Sequence, residues 1–215
     1  FYHYLIEEEQ VQMVHPVKRG YALRLSRPLP RHLKDEEVGR LLKVIHDRRD
    51  RALFMLMLRC GLRVEEVARL KLAALDLRRS QLFVHYGKGA KDRVVYLSDD
   101  AYEALVRYLR VRPASRVKEV FLVNKGRCRG QAISVRGIQK RLEHYARQAR
   151  LKVSCHQLRH TMATQLLNAD AALVTIQDLL GHTRIKTTQR YCRVSNLKVQ
   201  RDYHRAMAVV LQRTG

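Results

Sequence analysis

Two arginines, two histidines and one tyrosine in this sequence are the residue types that could bind and cleave a phosphodiester. Arg63 lies alone in the stretch CGLRVEEVARL, and a later stretch contains His156, Arg159, His182 and Tyr191 in that order. A guanidinium grips two phosphate oxygens at once and keeps its charge. Fixed cations aimed at oxygens that gain charge in the transition state usually give the largest catalytic contribution. The pattern therefore predicts a site that holds a phosphodiester and attacks it with a phenol.

A tyrosine nucleophile needs partners for its proton and for the leaving group. A phenol has an unperturbed pKa of about 10, so it needs a proton acceptor or a cationic field nearby. A histidine can accept that proton. The departing 5′ oxygen needs a proton donor, and Lys88 in YGKGAKDRVV lies in a glycine-flanked turn from which it can reach the site. Lys91 is an alternative donor, and Lys88 alone is equally typical of a solvated hairpin lysine.

The charge of the chain narrows the choice of partner. Lysine and arginine total 43 against 20 acidic residues, which gives a formal net charge of +23. Such a charge favours nucleic acid as the partner, although a ribosomal-type or merely solubilised basic protein has the same signature. The four cysteines are scattered without CxxC spacing, so neither a zinc site nor a disulfide framework is predicted. A reducing compartment is expected, and no run approaches the ~18 apolar residues of a membrane span.

The periodicity of apolar residues predicts a mainly helical α+β chain. Residues 34–61 have the spacing of two helices, and LRVEEVARL predicts a short third one. Between residues 75 and 97 the period changes to alternation around a Gly-Lys-Gly turn, which predicts a hairpin within a small three-stranded antiparallel sheet. EVFLV is a candidate short strand. Further helices are expected at 133–149, 156–168, 172–180, 184–193 and 197–212.

Four stretches together resemble the signature boxes of the tyrosine recombinases, the phage-integrase family. They are CGLRVEEVARL, GKGAKDRVVYL, HQLRHTMATQLL and LLGHTRIKTTQRYCRV. The resemblance covers roughly residues 31 to 196 and includes the order of the boxes. It implies the fold of a tyrosine-recombinase catalytic domain for residues 31–215. By the same resemblance, residues 1–30 are expected to be the end of a truncated N-terminal DNA-binding domain plus a proline-rich linker.

The resemblance implies a role for each residue of the site. Arg63 and Arg159 would clamp the scissile phosphate, and Lys88 would protonate the leaving oxygen. His156 would assist proton transfer at the tyrosine. The remaining roles are a hydrogen bond from His182 to a non-bridging oxygen, attack by Tyr191 to form a 3′-phosphotyrosyl link, and support from Glu66 and His160.

Such a site implies a site-specific DNA recombinase that works without metal, cofactor or ATP. The phosphotyrosyl bond conserves the energy of the phosphodiester, and the arginines supply the positive charge. Relatives act as tetramers on two double-stranded DNA sites and pass through a Holliday junction, so a homo-oligomer is expected. A helix at 197–213 would dock either on a neighbouring subunit or on its own domain. A cytoplasmic protein of a bacterium, near the nucleoid, is expected.

Two other functions are compatible with parts of this pattern. A relaxing topoisomerase of the type IB kind uses the same phosphotyrosyl chemistry, but acts as a monomer without site preference. A DNA-binding module with an inactive site would keep the fold and the charge. The complete set of residues favours the recombinase, and replacing Tyr191 separates an enzyme from a binding module.

The charge predicts DNA binding that weakens steeply with salt. Each phosphate neutralised contributes a slope of about −0.9 to log affinity against log salt, because counterions are released. Fluorescence anisotropy with a labelled duplex, repeated at several salt concentrations, measures this slope. An affinity that does not change with salt would contradict a phosphate-based interface.

Overall fold

The computed structural model describes residues 7–10, 12, 32–84, 92–169, 171–181 and 196–214. The side chains at positions 167, 173 and 196–199 are outside the description. Three residues of the predicted site also lie outside the described residues: Lys88, His182 and Tyr191. So do residues 13–31, most of the predicted linker, and the helix expected at 184–193. The division of the chain into two domains therefore stays a prediction.

The first helices follow from their capping residues and their apolar faces. Helix α1 (Asp35–Val44) has three acidic residues in its first turn, where they complement the helix dipole. Helix α2 (Arg48–Arg59) begins at Asp47, whose carboxylate accepts a hydrogen bond from the Asp50 amide at 3.0 Å. Helix α2 is buried on nearly all sides, and it packs against two later helices. It is therefore the centre of the fold.

A short turn and a small sheet connect this helix to the rest of the chain. The turn after α2 leads into α3 (Val64–Ala68). The sheet has the order β1 (Leu75–Asp76), β2 (Gln81–Val84) and β3 (Arg93–Tyr96), with both pairs antiparallel. Alternation in β2 places Leu82 and Val84 inside and Phe83 outside. The predicted three-stranded antiparallel sheet is confirmed.

Helices make up most of the remaining described chain. They are α4 (Asp99–Leu109), α5 (Val135–Gln148), α6 (Cys155–Asn168), α7 (Leu173–Leu180) and α8 (Asn196–Thr214). The predicted mainly helical α+β class is confirmed. The expected strand EVFLV is wrong in detail, because this segment makes only isolated bridges at Glu119 and Leu122. No helix in the described part of the chain is both long enough and apolar enough to cross a membrane.

The hydrophobic core has two parts, and helix α6 contributes residues to both. The larger part joins α1, α2, α4 and α5 to the inner face of the sheet. The smaller part joins α6, α7 and α8 to Tyr96 at the end of β3. Met162 and Leu166 are fully buried there. Helix α6 faces both parts, since Leu158 belongs to the larger part and Met162 to the smaller one.

The C-terminal helix α8 packs on its own chain. Tyr203, Met207 and Val210 form its buried face. The Tyr203 hydroxyl donates to the carbonyl of Arg59 at 3.2 Å, and the Arg59 guanidinium donates to the Thr214 hydroxyl at 2.8 Å. Of the two docking modes expected for this helix, the intrachain one is what the structure shows. Exchange between subunits stays a prediction.

A buried carboxylate holds α2 to α5. Asp50 is 0% exposed and accepts hydrogen bonds from Arg49 at 2.6 Å, from Arg141 at 2.6 Å and from the Tyr145 hydroxyl at 3.0 Å. Burial and the nearby Asp50 carboxylate raise the pKa of Tyr145 to about 12. The phenol therefore remains a neutral donor at all ordinary pH values, and Asp50 keeps all three partners.

We expect Asp50→Asn to destabilise the protein by about 3 kcal/mol, because it leaves two guanidinium groups without a buried counter-charge. Urea unfolding followed by circular dichroism measures this loss. Glu103→Gln is the control, since Glu103 pairs with Arg107 on the exposed face of α4 and such pairs contribute about 0.5 kcal/mol or less. Equal losses in the two variants would contradict a structural role for the buried network.

Candidate active site

Arg63 is positioned by the turn between α2 and α3. Gly61 ends α2 with a φ of 65°, a conformation that favours glycine. Arg63 then adopts extended backbone geometry as the N-cap of α3, and its backbone amide donates to Glu66 at 2.8 Å. The side chain of Arg63 donates to the same carboxylate at 2.8 Å and is 34% exposed. The backbone and the guanidinium of Arg63 are therefore both held by Glu66, while about a third of its side chain is accessible to solvent.

Glu66 accepts hydrogen bonds from the backbone and the side chain of Arg63, and it also binds a second arginine. Its supporting role in the reaction stays a prediction. Arg93 at the start of β3 donates from both terminal nitrogens to the two oxygens of Glu66, at 3.1 and 2.8 Å. The side chains of Glu66 and Arg93 are only 8% and 7% exposed. The carboxylate thus lies between two guanidinium groups, one buried and one open to solvent.

Arg93 was missed by the sequence analysis. Its signal in the sequence is its place as the first residue of a predicted strand that continues with apolar Val94 and Val95. A charged residue in that strand faces either solvent or a buried partner. Since Glu66 lies in another motif, the sequence alone does not distinguish the two.

Arg159 joins the segment before Arg63 to the end of α7. It lies on α6, is 3% exposed, and donates from one terminal nitrogen to the Gly61 carbonyl and from the other to the Leu180 carbonyl. These two carbonyls come from segments far apart in sequence. Arg159 therefore fixes the spacing between the Arg63 turn and the C-terminal end of α7. Its predicted contact with a phosphate stays a prediction.

The C-terminus of α7 receives two arginines. Gly181 ends the helix with a left-handed φ of 61°, and the last carbonyls of a helix have no partner within the helix. Arg93 donates its Nε to the Leu179 carbonyl at 2.8 Å, and Arg159 donates to the Leu180 carbonyl. Positive charge at this end also complements the helix dipole. The predicted site residue His182 follows Gly181 directly in the chain.

The predicted histidines of α6 lie beside each other. His156, in the first turn, is exposed, and His160 one turn later is half-buried. Their ring centroids are 4.2 Å apart with the planes at 81°, an edge-to-face contact. His160 therefore contacts the ring of His156, and its supporting role in the reaction stays a prediction. Proton transfer by His156 involves Tyr191, which lies outside the described residues, so this role stays a prediction.

The residues that the structure describes indicate no metal site, and two of their three cysteines are buried. They contain no group of three or more histidine, cysteine or acidic side chains placed to hold a metal ion. Cys60 and Cys155 are buried. Burial raises the pKa of both thiols, that of Cys155 to about 11. Both thiols are therefore packing residues.

Comparison with known proteins gives a consistent result. Residues 31–198 match the phage integrase family. The tyrosine recombinase XerC of Pelotomaculum thermopropionicum is 36% identical over 221 residues, which cover 96% of this chain and 71% of the relative. A crystal structure of XerA recombinase superimposes with a TM-score of 0.67 at 29% identity, over 81% of this chain and 64% of that one.

A second similar structure is that of a recombinase with its substrate bound. It is the XerH site-specific recombinase bound to its difH substrate in a pre-cleavage complex, with a TM-score of 0.62 and 27% identity. The match covers 81% of this chain and 50% of XerH. The chain thus spans between half and about three quarters of the length of these proteins.

We expect Gly61→Ala to destabilise the protein by about 1–2 kcal/mol, the cost of a left-handed conformation with a Cβ atom. That Cβ would lie 3.2 Å from both Leu180 Cδ2 and Met162 Sδ, which adds crowding. Urea unfolding measures the effect. In the control Gly39→Ala the new methyl meets nothing within 4 Å, and alanine within α1 should stabilise by about 0.5–1 kcal/mol. A neutral Gly61→Ala would contradict the role of this turn.

Proposed function

The chain belongs to the phage integrase family, and we propose that it acts as a site-specific tyrosine recombinase on double-stranded DNA. The resemblance stated from its four boxes is thereby confirmed. The named relatives are tyrosine recombinases, so the relaxing topoisomerase and the inactive binding module are not favoured. The roles of individual residues, the oligomeric state and the reaction course are part of the proposal.

One observation from the structure carries the proposal furthest. The Arg63 turn and the end of α7 are held together by Arg159, and Glu66 is hydrogen-bonded to the half-buried Arg63. The segment that follows contains His182 and Tyr191 within eleven residues of Leu180. Arg63, held in place by Glu66, therefore lies close to the end of α7, after which the chain continues to the proposed nucleophile Tyr191. This proximity supports the proposed transfer of a phosphoryl group from DNA to a phenol, which requires a fixed cation near the nucleophile.

The proposed reaction conserves the number of phosphoester bonds. The phenol oxygen of Tyr191 forms a bond to phosphorus as the bond to the 5′ oxygen breaks. The phenol proton goes to His156, and Lys88 supplies a proton to the departing oxygen. Attack by another 5′ hydroxyl reverses these steps and releases the tyrosine. Since the phosphotyrosyl ester replaces a diester of similar energy, no ATP is needed.

Positive charge, rather than a bound ion, is proposed to stabilise the transition state. Arg63 and Arg159 would bind the non-bridging oxygens, and His182 would donate a third hydrogen bond. Each such donor is typically worth a factor of about 10²–10³ in rate. The proposal therefore expects cleavage to continue when divalent ions are chelated.

DNA is the partner that the comparisons support best, because XerH was solved with its DNA substrate. A tetramer on two sites, a Holliday-junction intermediate and exchange of α8 between subunits are further parts of the proposal. A location in the bacterial cytoplasm stays a prediction.

We expect Tyr191→Phe to abolish covalent attachment to DNA and to leave DNA affinity within about twofold, because only the phenol oxygen is lost. A nicked suicide duplex traps the attached protein, and a denaturing gel detects it. Since the target is unknown, the substrate is a pool of candidate sites selected by binding. Tyr102→Phe, on the partly buried face of α4, is the matched control and should attach normally.

Attachment by the phenylalanine variant would overturn the proposal. Attachment of the wild type to any duplex, with relaxation of supercoiled plasmid and no joining of two sites, would favour the topoisomerase. Binding of a selected site without attachment by the wild type would favour the inactive module.

A further inference from the structure

Three charged groups meet at the N-terminal turn of α3. Glu66 accepts hydrogen bonds from Arg63 at 2.8 Å and from Arg93 at 2.8 and 3.1 Å. A carboxylate paired with Arg63 alone would cancel its charge, whereas the triplet with Arg93 keeps a net positive charge. A clamp for an already negative phosphodiester needs that positive charge.

The burial of the three groups decides where that charge lies. The side chains of Arg93 and Glu66 are 7% and 8% exposed, while that of Arg63 is 34% exposed. The two-pronged pair of Arg93 with Glu66 is therefore the inner ion pair, and Arg63 is the outer cation. Electrostatic interactions are stronger where water is excluded, so the inner arginine offsets much of the attraction of Glu66 for Arg63.

Arg93 also lies where three segments of the predicted site meet. It pairs with Val84 in the sheet, so it closes the base of the hairpin whose segment 85–91 contains Lys88. Its Nε donates to the Leu179 carbonyl at the end of α7, three residues before His182. Through Glu66 it reaches the Arg63 turn. One side chain thus connects the segments of the general acid, the clamp and the third hydrogen-bond donor.

We propose that Arg93 is a positioning residue that neutralises Glu66 and thereby keeps the charge of Arg63 available for the phosphate. This inference rests on the proposed function, because it names the phosphodiester as the ligand of Arg63. Arg93 itself acts through Glu66 and the Leu179 carbonyl and does not touch the substrate.

The distinguishing experiment removes the charge of Arg93 alone and then the charges of Arg93 and Glu66 together. In Arg93→Gln, Glu66 loses its inner arginine and keeps its contact with Arg63, so attachment to a pre-bound nicked duplex should slow by about 100-fold with affinity nearly unchanged. In the double variant Glu66→Gln with Arg93→Gln, the charge of Arg63 is no longer offset by the Glu66 carboxylate, and the rate should recover at least about tenfold. Arg93→Lys keeps the positive charge but cannot form the two-pronged hydrogen bond to Glu66, and an intermediate rate is expected.

A merely structural role gives a different pattern. The matched control is Arg141→Gln, which breaks another ion pair, between Arg141 of α5 and the buried Asp50 of α2. It should lower stability and leave the rate of the folded fraction unchanged. The inference is overturned if Arg93→Gln behaves like Arg141→Gln, or if the double variant is as slow as Arg93→Gln.

Hydrogen exchange tests the same inference without any reaction. The Arg63 amide is protected by its hydrogen bond to Glu66, and the Gly137 amide by the Ser134 hydroxyl at the start of α5. Arg93→Gln should speed exchange at Arg63 by about tenfold, because Glu66 loses the two-pronged contact that fixes the position of its carboxylate. Exchange at Gly137 should be unchanged, because Ser134 does not contact Arg93. If the wild type attaches to no duplex, the proposed function fails while this result still decides the role of Arg93. Unchanged exchange at Arg63 would overturn it.

Discussion

The site depends on how the last carbonyls of α7 are satisfied. A helix end that is buried must find donors for its carbonyls, and here Arg93 and Arg159 supply them from β3 and α6. Both arginines also reach the other side of the site, Arg93 through Glu66 and Arg159 through the Gly61 carbonyl. The same hydrogen bonds that end one helix therefore set its distance from the Arg63 turn. The same hydrogen bonds therefore stabilise the fold and position the residues of the site.

These arginines solve an electrostatic problem as well as a packing one. A buried charge is costly unless it is well paired, and a clamp that is fully neutralised does not attract a phosphate. Carbonyl acceptors orient Arg159 without cancelling its charge, since a carbonyl carries only a partial charge. At Arg63 the neutralising carboxylate is shared with Arg93. Charge is thus retained on the side chain that is most open to solvent.

The sequence predicted the parts of the site that local motifs encode. Helical periodicity placed α2, α5 and α6 within a few residues, and Glu66, expected to support the site, is hydrogen-bonded to Arg63. Arg93 was missed because its partners come from two other segments, so no local pattern reveals whether it is buried. The strand expected at EVFLV was wrong because its apolar residues fill the core while few of its backbone groups join a ladder.

The central claim is that this chain links itself to DNA through a phenol while a 5′ hydroxyl leaves. The most direct test is to digest the trapped protein–DNA complex with trypsin and nuclease and to map the modified residue by mass spectrometry. The account predicts a 3′-nucleotide phosphate on the oxygen of Tyr191, in the peptide of residues 191–193. A nucleotide on a different residue, or linkage through a 5′ phosphate, would contradict it.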